Sequence, residues 1–308
     1  MLKIGLICNT AAAFPLLQWA AANQLLGGVA ILNQASEFYE QAVSLTTRMG
    51  VPLRILDRQN ITDQLVGWQK SSSINIVLVL GFPLRIRRRA LDSAPFGVYN
   101  IHFGKLPEYA GSFPVFWQIL NGAQRATLTI HRMDAGLDTG PVAVEIPFEI
   151  GDSQSFGLVD AQYGFVAVQA TIQLLTSIAN NTLKLVPQTA PTSPAQGKPL
   201  VKDLVIRWEE MNAKQVTALV LATNPWNRGA LALVNGFDVK IMEAGPGEDT
   251  ELAPGTIFRT AAGEMAVACR DKTSVILRIL YCTFGYFETT RIWSFGLSEG
   301  DRFERIPL

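Results

Sequence analysis

The stretch Ile74 to Leu80, with the sequence INIVLVL, constrains the fold of this 308-residue chain most. Only Asn75 in it is polar, so it lacks the apolar–polar alternation that marks a strand with one solvated face. A short, almost wholly apolar run is typical of a central strand in a parallel sheet, which helices cover on both faces. We therefore predict a buried strand here, with helices on both sides of its sheet.

Other candidate strands and helices alternate around this stretch. The predicted strands are Leu2–Cys8, Gly28–Leu32, Val51–Leu56, Ile74–Leu80, Gly97–Ile101, Thr127–His131 and Val142–Ile150. The predicted helices are Ala11–Leu26, Ser36–Met49, Ile61–Gln69, Ser112–Leu120 and Ser155–Ile178. Ser36 and Asn60 stand where each can cap the helix that follows. Alternation at this spacing predicts an α/β fold with a doubly wound, mostly parallel sheet.

A proline-rich segment divides the chain into two predicted domains. Residues 187–199 contain four prolines and little apolar sequence, which is typical of an interdomain linker. The first domain is then 1–186 and the second 200–308. In the second domain a helix is predicted at Lys214–Ala222, a hairpin at Ala230–Ala244 and strands at Thr256–Arg259, Glu264–Cys269 and Ser274–Tyr281. The Asn235-Gly236 pair suits the tight turn of the hairpin. Several strands with a single helix predict a small, OB-like β-barrel.

The charge balance argues against an overall attraction to nucleic acid or to an anionic membrane. The chain has 26 Lys and Arg residues against 26 Asp and Glu residues, so no net field draws it to a polyanion. The local basic run Arg85 to Arg89 is interpreted as a solvated helix face.

No G-x-G-x-x-G or phosphate-loop pattern follows a strand, so the sequence does not support binding of a dinucleotide or a nucleoside triphosphate.

The cysteines and the N-terminal segment indicate the cellular compartment of the protein. Cys8, Cys269 and Cys282 are far apart and show no zinc-site or disulfide spacing, so we expect a cytoplasmic protein without a metal. No charged residue lies between Lys3 and Glu37. Polar residues and a proline interrupt this apolar segment, which argues against a signal peptide or membrane helix. A second copy of the chain, in a homodimer, is one candidate for covering its helix.

Polar residues that can carry chemistry converge after the fifth predicted strand. Asn100 and His102 point to the same face of that strand, because side chains repeat every second residue. His131 ends a later strand, and Asp134 and Asp138 follow it in a glycine-rich loop. An amide donor, an imidazole and a carboxylate together can stabilise an oxyanion and move a proton near neutral pH. The alternative is that both histidines are satisfied residues of the core.

Four motifs in this region are similar to those of a known family. They are Asn100-Ile-His102, Leu106-Pro-Glu-Tyr-Ala-Gly111, a proline-led helix with Pro114 and Trp117, and Asp134-Ala-Gly-Leu-Asp138-Thr-Gly140. In this order they resemble 10-formyltetrahydrofolate-dependent formyltransferases. In the second domain, Asn224-Pro225-Trp226 and the hairpin that follows resemble the C-terminal barrel of methionyl-tRNA formyltransferases, which some amino-sugar formyltransferases share.

The resemblance implies a reaction and a set of site residues. An amine of the acceptor would attack the formyl carbon of 10-formyltetrahydrofolate, while Asn100 and a protonated His102 stabilise the oxyanion. Asp138 would orient the imidazole, raise its pKa and help relay the proton, and His131 would be a supporting residue. The residues implied to hold the pterin of the folate are Gly81, Phe82, Leu84, Ile86, Met133, Asp134, Ala135 and Gly136. No metal is implied.

Departures from the family pattern bear on the acceptor. The residues after His102 read Phe103-Gly104-Lys105-Leu106-Pro107 where the family commonly has x-Ser-Leu-Leu-Pro, and Ala110 replaces the usual Arg. Methionyl-tRNA enzymes tend to carry a basic insertion before the second helix, where this chain has only Asn33-Gln34-Ala35. We therefore expect the acceptor to be a small or carrier-bound amine, such as an amino sugar nucleotide. We expect residues Phe103–Ala110 to recognise it.

Three other functions stay open on the sequence. Methionyl-tRNA is an alternative acceptor, because the resemblance extends over nearly the whole chain. Hydrolysis of the folate, with water as the acceptor, is another. The last is a protein that binds folate on this scaffold without catalysis.

Overall fold

The structure is a computed structural model that describes residues 2–190, 194–293 and 296–307. It divides into two compact units. The first comprises residues 1–111, 125–149 and 160–195, and the second comprises 112–124, 150–159 and 196–308. The predicted linker is partly outside the described residues, at positions 191–193.

A seven-stranded sheet forms the centre of the first unit. Its strands are β1 (Ile4–Cys8), β2 (Leu26–Leu32), β3 (Leu53–Leu56), β4 (Ile76–Leu80), β5 (Val98–His102), β6 (Arg125–Arg132) and β7 (Val142–Glu149). The order across the sheet is β3-β2-β1-β4-β5-β6-β7. Strands β1 to β5 pair in parallel, and β6 and β7 are antiparallel. All five residues of β4 are buried, so the predicted central strand and the mostly parallel α/β fold are confirmed.

The helices up to residue 179 agree with most of the predicted ones. They are α1 (Phe14–Ala22), α2 (Glu37–Met49), α3 (Ile61–Ser71), α4 (Arg88–Leu91), α5 (Pro114–Leu120) and α6 (Phe156–Ala179). The Ser36 hydroxyl accepts from the Tyr39 amide and caps α2, as predicted. The predicted Asn60 cap is wrong: Asn60 has a left-handed φ of 54° and its side chain makes no cap hydrogen bond. The first predicted helix is too long, since Ala11–Ala13 is a 3-10 turn and β2 begins at Leu26.

The register of β4, β5 and β6 positions the candidate site. Val79 of β4 is opposite Asn100 of β5, so the loops after these two parallel strands leave the sheet side by side. Ligands of open α/β sheets bind beyond such strand ends. On the other side of β5, Asn100 is opposite His131 of β6, which brings the second histidine to the same place.

An antiparallel sheet dominates the second unit. It follows helix α7 (Ala213–Thr223), and its strands are β8 (Ala230–Val234), β9 (Phe237–Pro246), β10 (Ile257–Arg259), β11 (Met265–Ala268), β12 (Ser274–Cys282), β13 (Gly285–Glu288) and β14 (Phe303–Glu304). A short helix, α8 (Thr289–Ile292), comes between β13 and β14 in the sequence. The order is β10-β11-β12-β9-β8-β14, with β13 on β12. A bridge between Thr256 and Arg302 joins the two edges, which confirms the predicted barrel. Asn235 and Gly236 both have positive φ, 49° and 75°, as a primed hairpin turn requires.

Within the residues that the structure describes, no helix combines the length and the apolarity needed to cross a bilayer.

Two helical glycines allow a matched test of the packing. An ideal Cβ on Gly164 of α6 would lie 2.6 Å from the Ala12 carbonyl oxygen, whereas a Cβ on Gly67 of α3 would meet nothing within 4 Å. Gly67→Ala should raise the free energy of unfolding by about 0.5–1 kcal/mol, since alanine is the better helix former. Gly164→Ala should lower it by about 1–3 kcal/mol through overpacking. Urea denaturation measures both, and a Gly164→Ala variant as stable as Gly67→Ala would contradict this packing.

Candidate functional site

The C-terminal end of β5 supplies the first two side chains of the site. Asn100 and His102 are two residues apart on the strand and therefore project to one face of the sheet. His102 is buried, with 6% of its surface exposed, and Asn100 is half-buried. The polar atoms of both turn toward a single carboxylate, that of Asp138.

Asp138 is held from several sides. Its Oδ2 accepts a hydrogen bond of 2.9 Å from the Gly111 amide, and its Oδ1 lies 3.4 Å from Asn100 Nδ2. Its backbone has a left-handed φ of 53°, which costs free energy in a residue other than glycine. The Gln188 side-chain amide, through Nε2, donates to the carbonyl oxygens of Asp138 and Gly140, at 2.7 Å each. These bonds fix the carboxylate in the loop.

The tautomer of His102 follows from its backbone partner. Its Nε2 lies 2.7 Å from the Tyr109 carbonyl oxygen. Because a carbonyl oxygen can only accept, Nε2 carries the hydrogen and Nδ1 of the neutral ring keeps its lone pair. This Nδ1 is 3.8 Å from Asp138 Oδ2. His102 can therefore accept a proton at Nδ1, where the carboxylate would stabilise the resulting imidazolium.

The net effect of the site on His102 is to favour the neutral ring. Burial lowers the pKa of His102, while the Asp138 charge and the Tyr109 carbonyl oppose that effect without overcoming it. The expected effect of Asp138, which raises the pKa of the imidazole, is therefore present, but burial gives the net shift the opposite direction. For Asp138, burial raises the pKa, but the His131 hydrogen bond, the His102 charge and the Gly111 amide outweigh it and keep the pKa below its usual range.

His131 belongs to the same cluster. Its Nε2 lies 3.4 Å from Asp138 Oδ1 and 3.2 Å from Asn100 Nδ2, and the residue is 2% exposed. Its Nδ1 is buried without a hydrogen-bond partner. The next turn requires a glycine, because a Cβ on Gly140 would lie 1.8 Å from the Arg132 carbonyl oxygen. The loop therefore returns closely over the end of β6 and brings Asp138 to both histidines.

A cavity lies beside the predicted pterin slot. Its volume is about 490 Å³, and its walls combine Ile61, Leu84, Ile86 and Ala135 with the arginines 58, 85, 87 and 88. Three of the eight residues implied for the slot thus line one cavity: Leu84, Ile86 and Ala135.

The other five implied slot residues do not line this cavity. Phe82 and Met133 pack against the buried apolar cluster of the sheet. Asp134 Oδ1 accepts from the Gly136 amide at 2.9 Å and from the Thr139 hydroxyl at 2.7 Å, so its side chain closes its own loop. Gly81 has φ 63°, and a Cβ there would lie 2.6 Å from Thr10. Its role is to turn the chain after β4.

Sequence reasoning missed three contacts in the site: the Gly111 amide on the Asp138 carboxylate, the Tyr109 carbonyl on His102, and the Gln188 side chain on the Asp138 loop. The first two act through backbone atoms, which residue type does not reveal, although both belong to the noted Leu106–Gly111 motif. Gln188 falls in the predicted linker, and nothing in its local sequence indicates a contact with a loop 50 residues earlier.

In residues 2–190, 194–293 and 296–307 no group of three or more His, Cys, Asp or Glu side chains is placed to hold a metal ion.

Family models match both parts of the chain. A model described as "Formyl transferase" matches residues 39–175, and one described as "Formyl transferase, C-terminal domain" matches residues 201–281. The methionyl-tRNA formyltransferase of Acetivibrio thermocellus is 28% identical over 224 residues, which cover 71% of this chain and 71% of that protein.

Solved structures share the fold. WlaRD, a sugar 3N-formyltransferase solved in the presence of dTDP and 5-N-formyl-THF, superposes with a TM-score of 0.65 at 18% identity over 90% of this chain and 97% of its own. HypX from Aquifex aeolicus, in complex with tetrahydrofolic acid, superposes with a TM-score of 0.63 at 16% identity over 94% of this chain. The match covers 46% of the HypX chain.

The lowered pKa of His102 predicts a pH dependence. Because the folded pKa lies below the ordinary 6.5, folding favours the neutral ring, and the stability this contributes is present above about pH 6.5 and lost as the pH falls through the folded pKa. An NMR titration can resolve the ring, since the chain has only two histidines and His131→Gln identifies the other.

The matched variant is Asp138→Asn, which removes the charge that raises the pKa of His102. It should move the His102 midpoint further down. A midpoint at or above the ordinary value in the wild type, or an upward shift in Asp138→Asn, would contradict the electrostatics described.

Proposed function

This chain belongs to the formyl transferase family, and from that premise we propose that it transfers a formyl group from 10-formyltetrahydrofolate to a primary amine. Members of the family are enzymes that transfer formyl groups. The observation that carries the proposal is the arrangement of Asn100, His102 and His131 around the one buried carboxylate of Asp138. WlaRD and HypX were solved with folates bound, which supports a folate as the formyl donor here.

The proposed reaction begins with attack of the amine nitrogen on the formyl carbon, which places negative charge on the formyl oxygen. Asn100 Nδ2 donates a hydrogen bond to that oxygen. His102, neutral in the resting site, takes the proton of the amine at Nδ1, and Asp138 stabilises the imidazolium. Collapse of the intermediate breaks the bond to N10 of the folate, and the same proton is returned to N10. The lowered His102 pKa suits a group that must first accept a proton.

For the acceptor we propose a small or carrier-bound amine, such as an amino sugar nucleotide. The connection from β2 to α2, residues 33–36, contains neither Lys nor Arg, so it offers no cation to a phosphate backbone. The zero net charge of the chain supports the same reading. The extent of the WlaRD superposition, 90% of this chain and 97% of that one, is consistent with an acceptor of this class.

Methionyl-tRNA is the second candidate acceptor. The observation in its favour is that methionyl-tRNA formyltransferases are similar to this chain in sequence, at 28% and 26% identity.

Substitutions in the site test the proposed roles. Asn100→Ala and Asp138→Ala should each lower kcat by about 100-fold or more, since one oxyanion donor or its positioning partner is lost from a preorganised site. The controls are Asn180→Ala and Asp249→Ala, which change the same residue types at exposed positions. Circular dichroism establishes that all four variants are folded. Near-normal turnover in either site variant would show that its assigned role is wrong.

The acceptor is tested by comparing amines in one assay. The protein with 10-formyltetrahydrofolate should release tetrahydrofolate rapidly with a dTDP-linked amino sugar, and slowly with methionyl-tRNA or with no amine. Faster release with methionyl-tRNA would establish the second candidate. Equal release without any amine would indicate a hydrolase, and no release with any acceptor would leave only a binding function.

A further inference from the structure

Five arginines surround a trough on the first unit. The cavity beside the slot carries Arg58, Arg85, Arg87 and Arg88 on its walls. A second cavity of about 640 Å³ is lined by Arg54, Asp57, Arg58, Gln59, Asn60 and Gln64. Since Arg58 belongs to both, the two cavities are neighbours, and we call them together the arginine trough. It begins at the apolar residues Leu84, Ile86 and Ala135 and continues to Arg54.

Most of this positive charge is not neutralised locally. Arg85 donates to the Ala135 carbonyl, and Arg58 Nη2 donates to Gln34 Oε1 at 3.2 Å, so neither is bonded to a carboxylate. Arg88 pairs with Asp92 at 3.2 Å, but both side chains are more than half exposed, and such pairs exchange partners at little cost. Among the described residues no ion pair involves Arg54 or Arg87.

The single acid in the lining is Asp57, and its charge is engaged elsewhere. The Asn33 side chain donates to Asp57 Oδ1 at 3.1 Å, and the Asp57 amide bonds to Gln64. Five guanidinium groups face only two carboxylates, Asp57 and the Asp92 partner of Arg88, which leaves the trough positive. A solvated helix face does not explain this, because Arg54, Arg58, Arg85 and Arg87 are outside helix α4.

The trough therefore suits a ligand with an apolar or aromatic body and several carboxylates in series. Guanidinium groups bind carboxylates and phosphates alike through paired hydrogen bonds. Because the apolar end of the trough holds three residues of the implied pterin slot, the anions expected beyond it are the carboxylates of a folate tail. A folate with one glutamate has two carboxylates, fewer than the arginines present. Each further γ-linked glutamate adds one carboxylate.

We infer that the arginine trough binds the polyglutamyl tail of the folate co-substrate, so that this protein prefers polyglutamylated to monoglutamylated 10-formyltetrahydrofolate. The inference rests on the proposed function, because it places the pteridine and benzoyl groups of a folate at the apolar end. The γ-linked carboxylates then extend past Arg87 and Arg88 toward Arg58 and Arg54.

Binding of a folate that is not consumed tests this without turnover. The Kd values of 5-formyltetrahydrofolate with one and with five glutamates are measured by calorimetry, at low and at high salt. The wild type should bind the pentaglutamate roughly tenfold more tightly at low salt, and salt should reduce the ratio. In Arg54→Gln/Arg58→Gln, which changes the far end of the trough, the ratio should fall to about one, with monoglutamate binding within roughly twofold of wild type.

The matched control is Arg48→Gln, an exposed arginine at the end of α2, which should keep the wild-type ratio. Equal Kd values for the two folates in the wild type would overturn the inference and leave the proposed function standing. Failure of both folates to bind would overturn both. A double variant that keeps the pentaglutamate preference but raises the KM of the amine acceptor would overturn the inference as well, and would assign the arginines to acceptor phosphates.

Discussion

The buried carboxylate of Asp138 is the constraint on which the candidate site depends. An unpaired charge in such a place would cost several kcal/mol, and the fold compensates it from three sides. The Gly111 amide bonds one oxygen at 2.9 Å, while Asn100 and His131 approach the other. The strained backbone of the residue is in turn fixed by Gln188. The sheet, the return of the loop at Gly140 and the segment after α6 thus all help to hold the Asp138 carboxylate in place.

This arrangement explains why a neutral histidine and an ionised aspartate coexist. Burial removes water from both groups, and it disfavours the charged form of each. Hydrogen bonds to the carboxylate restore its charged form, whereas the contacts of His102 do not outweigh its burial. The result is a proton acceptor at His102 Nδ1 beside a permanent negative charge. Such a pair is stable before reaction and becomes an ion pair during it, which is what transfer of an amine proton requires.

Much of this architecture can be predicted from the sequence. The same physical reasons explain which elements and contacts cannot be predicted. The apolar run of β4 and its alternation with helices predict the parallel sheet, because a strand buried on both faces is an almost wholly apolar run that can be recognised directly. The short elements α4, β13, α8 and β14 have too few residues to show one. Asn100, His102 and Asp138 could be proposed for the site from the family motifs, but the Tyr109 carbonyl and the Gly111 amide could not, because they act through backbone atoms. The direction of the His102 pKa shift depends on burial, which becomes known only from the fold.

We propose that the formyl group is held between Asn100 and His102, above Asp138. A crystal structure of the Asp138→Asn variant with 10-formyltetrahydrofolate, grown without oxygen, tests it most directly. The account predicts the formyl oxygen within about 3.2 Å of Asn100 Nδ2 and the pteridine against Leu84, Ile86 and Ala135. A folate bound at another edge of the sheet, or a formyl carbon more than about 6 Å from both side chains and so beyond hydrogen-bond reach, would contradict it.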